Sequence, residues 1–200
     1  MNLEFCPKRH EYYNDGIKIP SVSEIVKIFQ VAKTGKLPYF PPGAANEGNS
    51  VHEFCKRCLE KRGYLGAAKG AANAWAMVSQ KVDQVFTQFS IVPGSDELHI
   101  EKPIGCEYLA GTPDLVINRP DEIIVIDWKY AEPSISHTYQ MIGYGILVEE
   151  SREIKKENIK LFLVYLKNQL QIKKIEFSLG RSNYFLDALS IINYVKGEKI

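Results

Sequence analysis

The chain has 200 residues and carries 25 lysines and arginines against 24 aspartates and glutamates, so its net charge at pH 7 is +1. With 45% hydrophobic and 24% charged residues, it has the composition of a globular domain with a substantial core. No run of about 18 apolar residues occurs, which argues against a membrane span. The first residues lack a signal-peptide pattern, so we expect a cytoplasmic protein.

The first half of the chain predicts a short hairpin followed by helices. Asn14-Asp-Gly16 has the composition of a tight turn, and Ser21-Val-Ser-Glu24 forms a capping box that begins a helix. Residues rich in glycine, proline and alanine then predict an irregular connector. The expected elements are strands at 3–5 and 12–13, a helix from 21 to about 30, a connector over 34–48, and helices over 47–61 and 67–89.

The second half alternates strands and helices, which indicates a mixed sheet. The expected elements are strands at 97–104, 107–118 and 122–130, a helix at 135–148, strands at 159–167 and 170–178, and a helix at 183–195. No repeat or linker divides the chain. We therefore predict one α/β (α+β) domain over residues 1–200, with a mixed sheet flanked by helices and an N-terminal extension of hairpin and helix.

Two acids and a lysine mark one predicted hairpin. Leu115-Val-Ile117 and Ile123-Ile-Val-Ile126 predict paired strands, and a turn centred between residues 120 and 121 makes residues whose numbers sum to 241 face each other. Asp114 and Asp127 satisfy that sum, and opposed residues have Cβ atoms roughly 4.5–5.5 Å apart. Lys129, two residues beyond Asp127, projects from the same face.

Opposed carboxylates repel each other, so something must compensate for their charge. A divalent cation is one solution, because hard cations bind carboxylate oxygens. The alternative is that both acids lie at a solvated strand end and mark turns. The assignment to one face depends on the register, since a slip of one residue would turn one acid away.

The four cysteines do not indicate a metal cluster. Cys55 and Cys58 have CxxC spacing but fall on the apolar face of a predicted helix, which favours a place in the core. Cys6 and Cys106 stand alone, and no second pair completes a coordination shell. We therefore expect neither an iron–sulfur cluster nor a zinc site.

Two further helices carry polar residues that belong with the acids. His52 lies at the border of the apolar stripe on its helix, where its ring can turn toward a cleft. Gln140 and Tyr144 are four residues apart on the helix after Lys129, and so share one face. Taken alone, each of these residues also has a purely structural explanation.

Together these residues resemble the PD-(D/E)XK nuclease superfamily, and in particular its RecB-like, phage-type exonuclease branch. The motifs occur in the family's order: Gly48-Asn-Ser-Val-His52-Glu53, Gly111-Thr-Pro-Asp114, Asp127-Trp-Lys129 and Gln140-Met-Ile-Gly-Tyr144. The N-terminal His10-x-Tyr12 and Pro20-Ser-Val-Ser23 also resemble the opening of phage-type members. Each motif is short, and the joint order across nearly the whole chain makes the match specific.

The resemblance implies a metal site that holds Mg²⁺ or Mn²⁺. Asp114 and Asp127 would be ligands, with His52 and the backbone carbonyl of Trp128 completing the coordination. An imidazole ligand shifts the preference toward Mn²⁺. Glu101, on the strand before Asp114, is a secondary candidate, because some members carry a contributing acid there, although a solvent-facing glutamate explains it equally well.

The resemblance also implies the remaining roles. Lys129 would position or help deprotonate the attacking water, and Gln140 and Tyr144 would position the DNA strand. The late cysteines of iron–sulfur members are absent, as is a GxxxxGK[ST] phosphate loop. Any helicase, recombinase or single-strand-binding partner would therefore be a separate chain.

The expected function is metal-dependent exonucleolytic hydrolysis of DNA, as duplex with ends or as single strand, in phage-type recombination, repair or processing within a bacterial or phage-infected cell. One alternative is a structure-specific or restriction-type endonuclease on the same core. Another is a catalytically silent nuclease fold that binds nucleic acid. The intact set of acids and lysine favours an enzyme.

Overall fold

The structure, a computed structural model, describes residues 2–35, 44–60, 73–95, 97–152 and 154–196. Its strands are β1 Leu3–Cys6, β2 Glu11–Asn14, β3 Ile17–Ile19, β4 Leu98–Ile100, β5 Ile104–Gly105, β6 Ala110–Gly111, β7 Leu115–Asn118, β8 Ile123–Lys129, β9 Ile159–Tyr165 and β10 Gln171–Ile175. Its helices are α1 Val22–Thr34, α2 Ala44–Glu60, α3 Asn73–Gln88, α4 Ile135–Arg152 and α5 Leu179–Lys196, with a 3-10 turn at Lys156–Asn158. None of the helices within these ranges is long and apolar enough to cross a bilayer.

A mixed five-stranded sheet forms the centre of the fold, in the order β10-β9-β8-β7-β4. The β8 and β9 strands are parallel and are joined through α4, whereas the other neighbours in the sheet are antiparallel. A parallel pair needs such a crossover, and the long apolar helix between the two strands supplies it. The predicted mixed α/β architecture is confirmed.

The predicted register of the β7–β8 hairpin is also confirmed. Leu115 lies opposite Ile126 and Val116 opposite Val125, so the paired numbers sum to 241. The turn closes with the N–H of Arg119 donating to the carbonyl of Glu122 at 3.0 Å. The ladder ends at Leu115, and Asp114 and Asp127 follow it at the open end of the hairpin.

Helices cover both faces of the sheet and define two cores. On one face, α1, α4 and α5 pack on alternate residues of β8 and β9 that include Val125 and Leu163. On the other, α2 and α3 pack on the intervening residues, which include Ile126 and Trp128. The near-continuous apolar run of β8 follows from this burial on both sides.

The N-terminal sheet of β1, β2 and β3 docks beside the loop that leads to Asp114. Tyr12 and Ile19 of this sheet pack against Ala110 of β6. The N–H of Ala110 donates to the carbonyl of Pro20 at 3.0 Å, and Ser21 forms a parallel bridge with Ala110. The extension is therefore joined by hydrogen bonds and apolar contacts to the segment before the first acid.

Several predicted boundaries are wrong for identifiable reasons. The strand expected over 97–104 ends at Ile100, because Glu101 adopts a left-handed φ of 44° that cannot continue a strand. The strand expected over 107–118 is divided between β6 and β7. The Ser21–Glu24 capping box is present, but α1 continues to Thr34 and stops at Gly35, whose φ is 66°.

Other helix limits differ as well. Helix α2 begins at Ala44, inside the predicted connector, while residues 36–43 of that connector lie outside the described residues. The expected start of the third helix near residue 67 also lies outside them. Helix α4 continues to Arg152 rather than 148, and α5 begins at Leu179, four residues before the predicted start at 183. The predicted start of α5 is too late because residues 176–178 fall in the strand expected over 170–178 and Gly180 is an unfavourable residue inside a helix.

Candidate active site

Asp114 is held at the end of the hairpin by contacts to both of its oxygens. Its Oδ2 accepts a hydrogen bond from the backbone N–H of Trp128 at 2.7 Å, and its Oδ1 lies 3.0 Å from Nδ1 of His52. The Trp128 contact crosses from the loop before β7 to β8, which brings the two predicted acidic positions together. In a strand, the N–H and C=O of one residue point to the same side. The Trp128 carbonyl is therefore directed toward the Asp114 edge as well.

Asp127 and Lys129 form an ion pair on β8. Oδ2 of Asp127 lies 2.5 Å from Nζ of Lys129, and the Asp127 residue is only 1% exposed. Burial raises the pKa of Asp127 to about 6, with the Lys129 charge opposing that rise and the charge of Asp114 adding to it. Asp127 is thus a carboxylate whose protonation changes near neutral pH.

His52 reaches the acids from α2, which packs on the opposite face of the sheet. Val51 and Cys55 of that helix are buried in the core, whereas His52 lies at the border of the apolar stripe, as the sequence predicted. Burial favours the neutral ring, but the charge of Asp114 and its hydrogen bond together raise the His52 pKa above its usual value. The imidazole is therefore drawn toward the protonated form beside the acid.

A chain of side-chain hydrogen bonds connects Lys129 to the loop of Asp114. Nζ of Lys129 donates to Oε1 of Gln140 at 2.8 Å, and Nε2 of Gln140 donates to the Tyr144 hydroxyl at 3.1 Å. The Tyr144 hydroxyl donates to the backbone carbonyl of Thr112 at 3.1 Å. Oγ1 of Thr112 in turn lies 2.8 Å from the hydroxyl of Tyr12.

These hydrogen bonds give a structural role to Gln140 and Tyr144, the two residues singled out on α4. Tyr144 is only 4% exposed and lies against Gly111, so its side chain is inside the protein. Gln140 is half-buried and holds Lys129. Both residues are placed to orient Lys129 and the 111–114 loop, and their role in positioning the DNA strand stays a prediction.

Glu101 lies next to Asp114 but is already paired. Its N–H donates to the Asp114 carbonyl at 3.0 Å, and its Oε2 lies 2.8 Å from Nζ of Lys56. Lys56 lies one turn after His52 on α2. Glu101 also has a left-handed backbone, a strained state for a residue other than glycine. The secondary candidate therefore lies close to the acids, with its charge compensated by a lysine.

Sequence reasoning did not predict the contacts of three residues in this neighbourhood, Tyr12, Thr112 and Lys56, although Tyr12 and Thr112 belong to the quoted motifs. Thr112 lies within the Gly111–Asp114 motif, so its position was available from the sequence but its role was not. Lys56 follows His52 by four residues, which places both on one helix face. Tyr12 carries no signal of its contact, since its partner is a hundred positions away along the chain.

The donors present fit a hard or borderline divalent cation. Two carboxylates and an imidazole are ligands suited to Mg²⁺ or Mn²⁺. Oδ2 of Asp127 is buried and, within the described residues, has no hydrogen-bond partner, only the ion-pair contact with Lys129. A cation would satisfy such an atom. Among the described residues, no three His, Cys, Asp or Glu side chains are grouped closely enough to hold a metal ion as they stand.

The cysteines lie where the sequence placed them. Cys55 and Cys58 are buried in the core between α2, α3 and the sheet. Burial raises the pKa of both thiols, to about 12 for Cys58 and well above the usual value for Cys55. Both are therefore protonated at neutral pH, in agreement with their predicted role as core residues.

Comparison with known proteins identifies the class. The family model of the PD-(D/E)XK nuclease superfamily matches residues 2–195, and the chain belongs to that superfamily. Among curated proteins, no match was found. The superfamily assignment agrees with the acids, the lysine and the mixed sheet described above.

The chain also has a distant similarity to solved structures, two of which are described as exonucleases. A proposed exonuclease from Eubacterium rectale has 11% identity and a TM-score of 0.45, over 91% of this chain and 83% of that one. A phage-related exonuclease from Haemophilus somnus 129PT has 12% identity and a TM-score of 0.38, over 86% and 90%. The protein SSO0001 has 16% identity and a TM-score of 0.38, over 86% and 75%. The family assignment rests on the family model alone.

Proposed function

We propose that this protein is a divalent-metal-dependent DNA exonuclease of the RecB-like branch. The observation that carries the proposal is the meeting of Asp114, Asp127 and Lys129 at one end of the β7–β8 hairpin, beside His52. The superfamily is one of nucleases, and members generally use divalent metals. The acids, lysine and histidine occupy the motif positions of that branch.

Phosphodiester hydrolysis requires a neutralised phosphate and a nucleophilic water. A divalent cation supplies charge neutralisation and lowers the pKa of a bound water. Asp114 and Asp127 would hold that cation, with His52 and the Trp128 carbonyl as further donors. Lys129, fixed by Gln140, would orient the attacking water and stabilise the charge that develops on the phosphate.

Tyr144, Thr112 and Tyr12 support this arrangement from the interior. Tyr144 links Gln140 to the Thr112 carbonyl, and the Tyr12 hydroxyl holds the Thr112 side chain. Because Thr112 precedes Asp114 by two residues, the same contacts position the first metal ligand and the lysine. A site held within a fraction of an ångström is what oriented catalysis requires.

The metal is Mg²⁺ or Mn²⁺ on this proposal. Carboxylate oxygens suit both ions, while the His52 nitrogen favours the softer Mn²⁺. We therefore expect activity with either ion and faster turnover with Mn²⁺. The cellular setting proposed is phage-type DNA recombination, repair or processing, with a recombinase, helicase or single-strand-binding protein as a separate partner.

The test is digestion of three substrates: end-labelled linear duplex, linear single strand and closed circular DNA. Each is incubated with Mg²⁺, Mn²⁺ or EDTA, and Asp114→Ala and Lys129→Ala variants run beside the unmodified protein. Metal-dependent loss of linear DNA alone, abolished in both variants, supports the exonuclease and its site. Cutting of closed circles supports the endonuclease alternative on the same core. Absence of cleavage with every substrate and metal would favour a silent binding module.

A further inference from the structure

A groove separate from the acids opens on the α4 side of the sheet. It has a volume of about 440 Å³ and is formed by the first turns of α4, the end of β10 and the first turn of α5. Pockets of roughly 300–1,000 Å³ accommodate ligands of drug size, a range that includes one nucleotide but not a duplex. The residues that line the groove include Ile135, Tyr139, Lys173, Lys174, Glu176 and Arg181.

The groove is predominantly basic. Lys173 and Arg181 line it together with a single carboxylate, that of Glu176. Lys174 also lies at its wall, but it is in register with Phe162 and projects from the other sheet face. The Arg181–Glu176 pair is loose, at 3.9 Å with both side chains exposed. Lys173 forms no ion pair within the described ranges, so its charge is available to an anion. This contrasts with the chain as a whole, whose net charge is only +1.

Strand register places Lys173 on the same side of the sheet as the acids. Asp127 lies in register with Leu163 on β9, and Leu163 lies in register with Lys173 on β10. Residues aligned in this way project from one face, and two strand spacings correspond to roughly 10 Å. At a rise of about 3.4 Å per stacked nucleotide, that distance is about three nucleotides, and fewer in an extended strand.

The beginning of α4 lies between the groove and the acids. Gln140 of this helix faces Lys129, whereas Ile135 and Tyr139 line the groove. The N-terminal end of a helix carries partial positive charge and free N–H groups, which favour a phosphate. A DNA strand that crosses the N-terminal end of α4 would have Lys129 on one side and the basic groove on the other.

Aromatic rings lie beside the groove, and one of them, Tyr139, lines it. Tyr139 stacks on Phe29 at 3.9 Å between ring centroids, and Tyr184 of α5 lies 5.8 Å from Tyr139. Tyr184 also lies 5.6 Å from Phe29 between ring centroids, and it is 56% exposed, so part of its ring is open to a base. A surface that combines cations with an exposed aromatic ring is the pattern that binds unpaired nucleic acid.

We propose that this groove binds single-stranded DNA about two or three nucleotides from the scissile phosphate, with Lys173 and Arg181 on phosphates and Tyr184 stacked on a base. This inference rests on the proposed function, since it assumes that the substrate strand reaches the acids. It adds the position and the chemistry of a strand-holding site. It also gives a role to an exposed tyrosine and an unpaired lysine that the acids and Lys129 do not use.

The experiment measures binding of a fluorescein-labelled 20-nucleotide single strand by anisotropy, in EDTA so that no cleavage occurs, over a range of salt concentrations. The variants are Lys173→Gln with Arg181→Gln, and Tyr184→Ala alone. The matched control is Lys160→Gln, a lysine of the adjacent strand β9 on the opposite sheet face. Circular dichroism and size-exclusion chromatography of each variant report folding and oligomeric state. Metal-dependent cleavage by the unmodified protein is measured in parallel.

The double variant is expected to flatten the slope of log affinity against log salt by about 0.7 for each phosphate that the protein no longer neutralises. Tyr184→Ala is expected to weaken binding at least about fivefold, the effect of removing one stacked base. Lys160→Gln should bind as the unmodified protein does. If the groove variants fold and keep the affinity and the salt slope, the proposed strand-binding role of the groove is wrong, while the proposed nuclease function is unaffected. A change in oligomeric state alone would also overturn it and assign the surface to a second copy of the chain. An unmodified protein that neither binds nor cleaves DNA would overturn the proposed function itself.

Discussion

The hydroxyl of Tyr12 lies 2.8 Å from Oγ1 of Thr112, so a side chain of the N-terminal hairpin holds the loop that carries Asp114. Tyr12 is only 1% exposed, and its ring stacks on Phe5 with 4.8 Å between centroids. Packing therefore fixes the ring, and the hydroxyl contact to Thr112 adds to that restraint. The N-terminal extension acts as part of the support of the site and not only as a cover.

Removing the Tyr12 hydroxyl should impair the site more than the fold. For Tyr12→Phe we expect the free energy of unfolding to fall by about 1 kcal/mol, the net value of one hydrogen bond. We expect kcat for linear DNA to fall about fivefold, because the 111–114 loop loses one restraint. Urea unfolding and steady-state cleavage measure the two effects. Tyr13→Phe, which removes a hydroxyl bound to Glu11, is the control, and equal activity of the two variants would contradict the role of Tyr12.

Gln140 is expected to act through Lys129. Gln140→Leu keeps the side-chain bulk but removes the acceptor that holds Nζ of Lys129 and the donor to Tyr144. A mispositioned lysine should lower kcat by about tenfold to a hundredfold with a smaller effect on KM. Gln84→Leu, an exposed position on α3, is the matched control. A rise in KM with kcat unchanged would instead assign Gln140 to substrate binding.

Metal affinity should rise with pH through the neutral range. The pKa of Asp127 is about 6, raised first by burial, and the pKa of His52 is raised by Asp114. Both groups must lose their protons to bind a cation, so protonation competes with the metal as pH falls. We expect Mn²⁺ affinity to fall by about tenfold per pH unit for each proton displaced, below these pKa values. Calorimetry at pH 5.5, 6.5 and 7.5 in two buffers counts the protons released, and a pH-independent affinity would refute the ligand set.

His137 should make the protein less stable in mild acid. Burial, and then the charge of Lys129, lower the pKa of His137 to about 4, and its Nδ1 lies 3.2 Å from the Tyr165 hydroxyl. In the unfolded chain His137 is protonated below about pH 6.5, whereas in the folded chain it is protonated only below about pH 4. Stability from this group is therefore present above about pH 6.5 and is lost as pH falls toward 4.

The matched variant isolates that effect. Between pH 8 and pH 5, His137→Gln should gain about 2 kcal/mol in unfolding free energy relative to the unmodified protein. Taking the difference between two pH values cancels the constant cost of altering the Tyr165 contact. Urea denaturation at both pH values gives the result. Parallel pH dependence of the two proteins would show that His137 is protonated alike in the folded and unfolded chains.

Much of the hairpin that carries the acids follows from local sequence. Two apolar runs flank residues with turn composition, and a turn centred between residues 120 and 121 gives the pairing that sums to 241, which is the register of the structure. The capping box at Ser21 and Glu24 is equally local. The buried state of Cys55 and Cys58 follows from the apolar stripe of α2.

What the sequence could not predict depends on distant contacts. Strand β4 ends at Ile100 because the next residue, Glu101, has a left-handed backbone, which a glutamate in the sequence does not predict. Tyr144 has the motif spacing of a surface contact, but packing against Gly111 places it in the interior. The partner of Tyr12 is separated from it by a hundred positions. Periodicity reports which face of an element is buried, not which element covers it.

The most direct test of the central claim is the rate of Mn²⁺-dependent hydrolysis of end-labelled linear DNA by Asp127→Asn, measured beside Asp121→Asn. Asp121 lies exposed in the turn at the other end of the same hairpin, so it controls for loss of one carboxylate. We predict that Asp127→Asn loses activity by a factor of at least about a hundred, while Asp121→Asn retains it. Equal activity of the two variants would contradict the assignment of Asp114, Asp127 and Lys129 as the hydrolytic site.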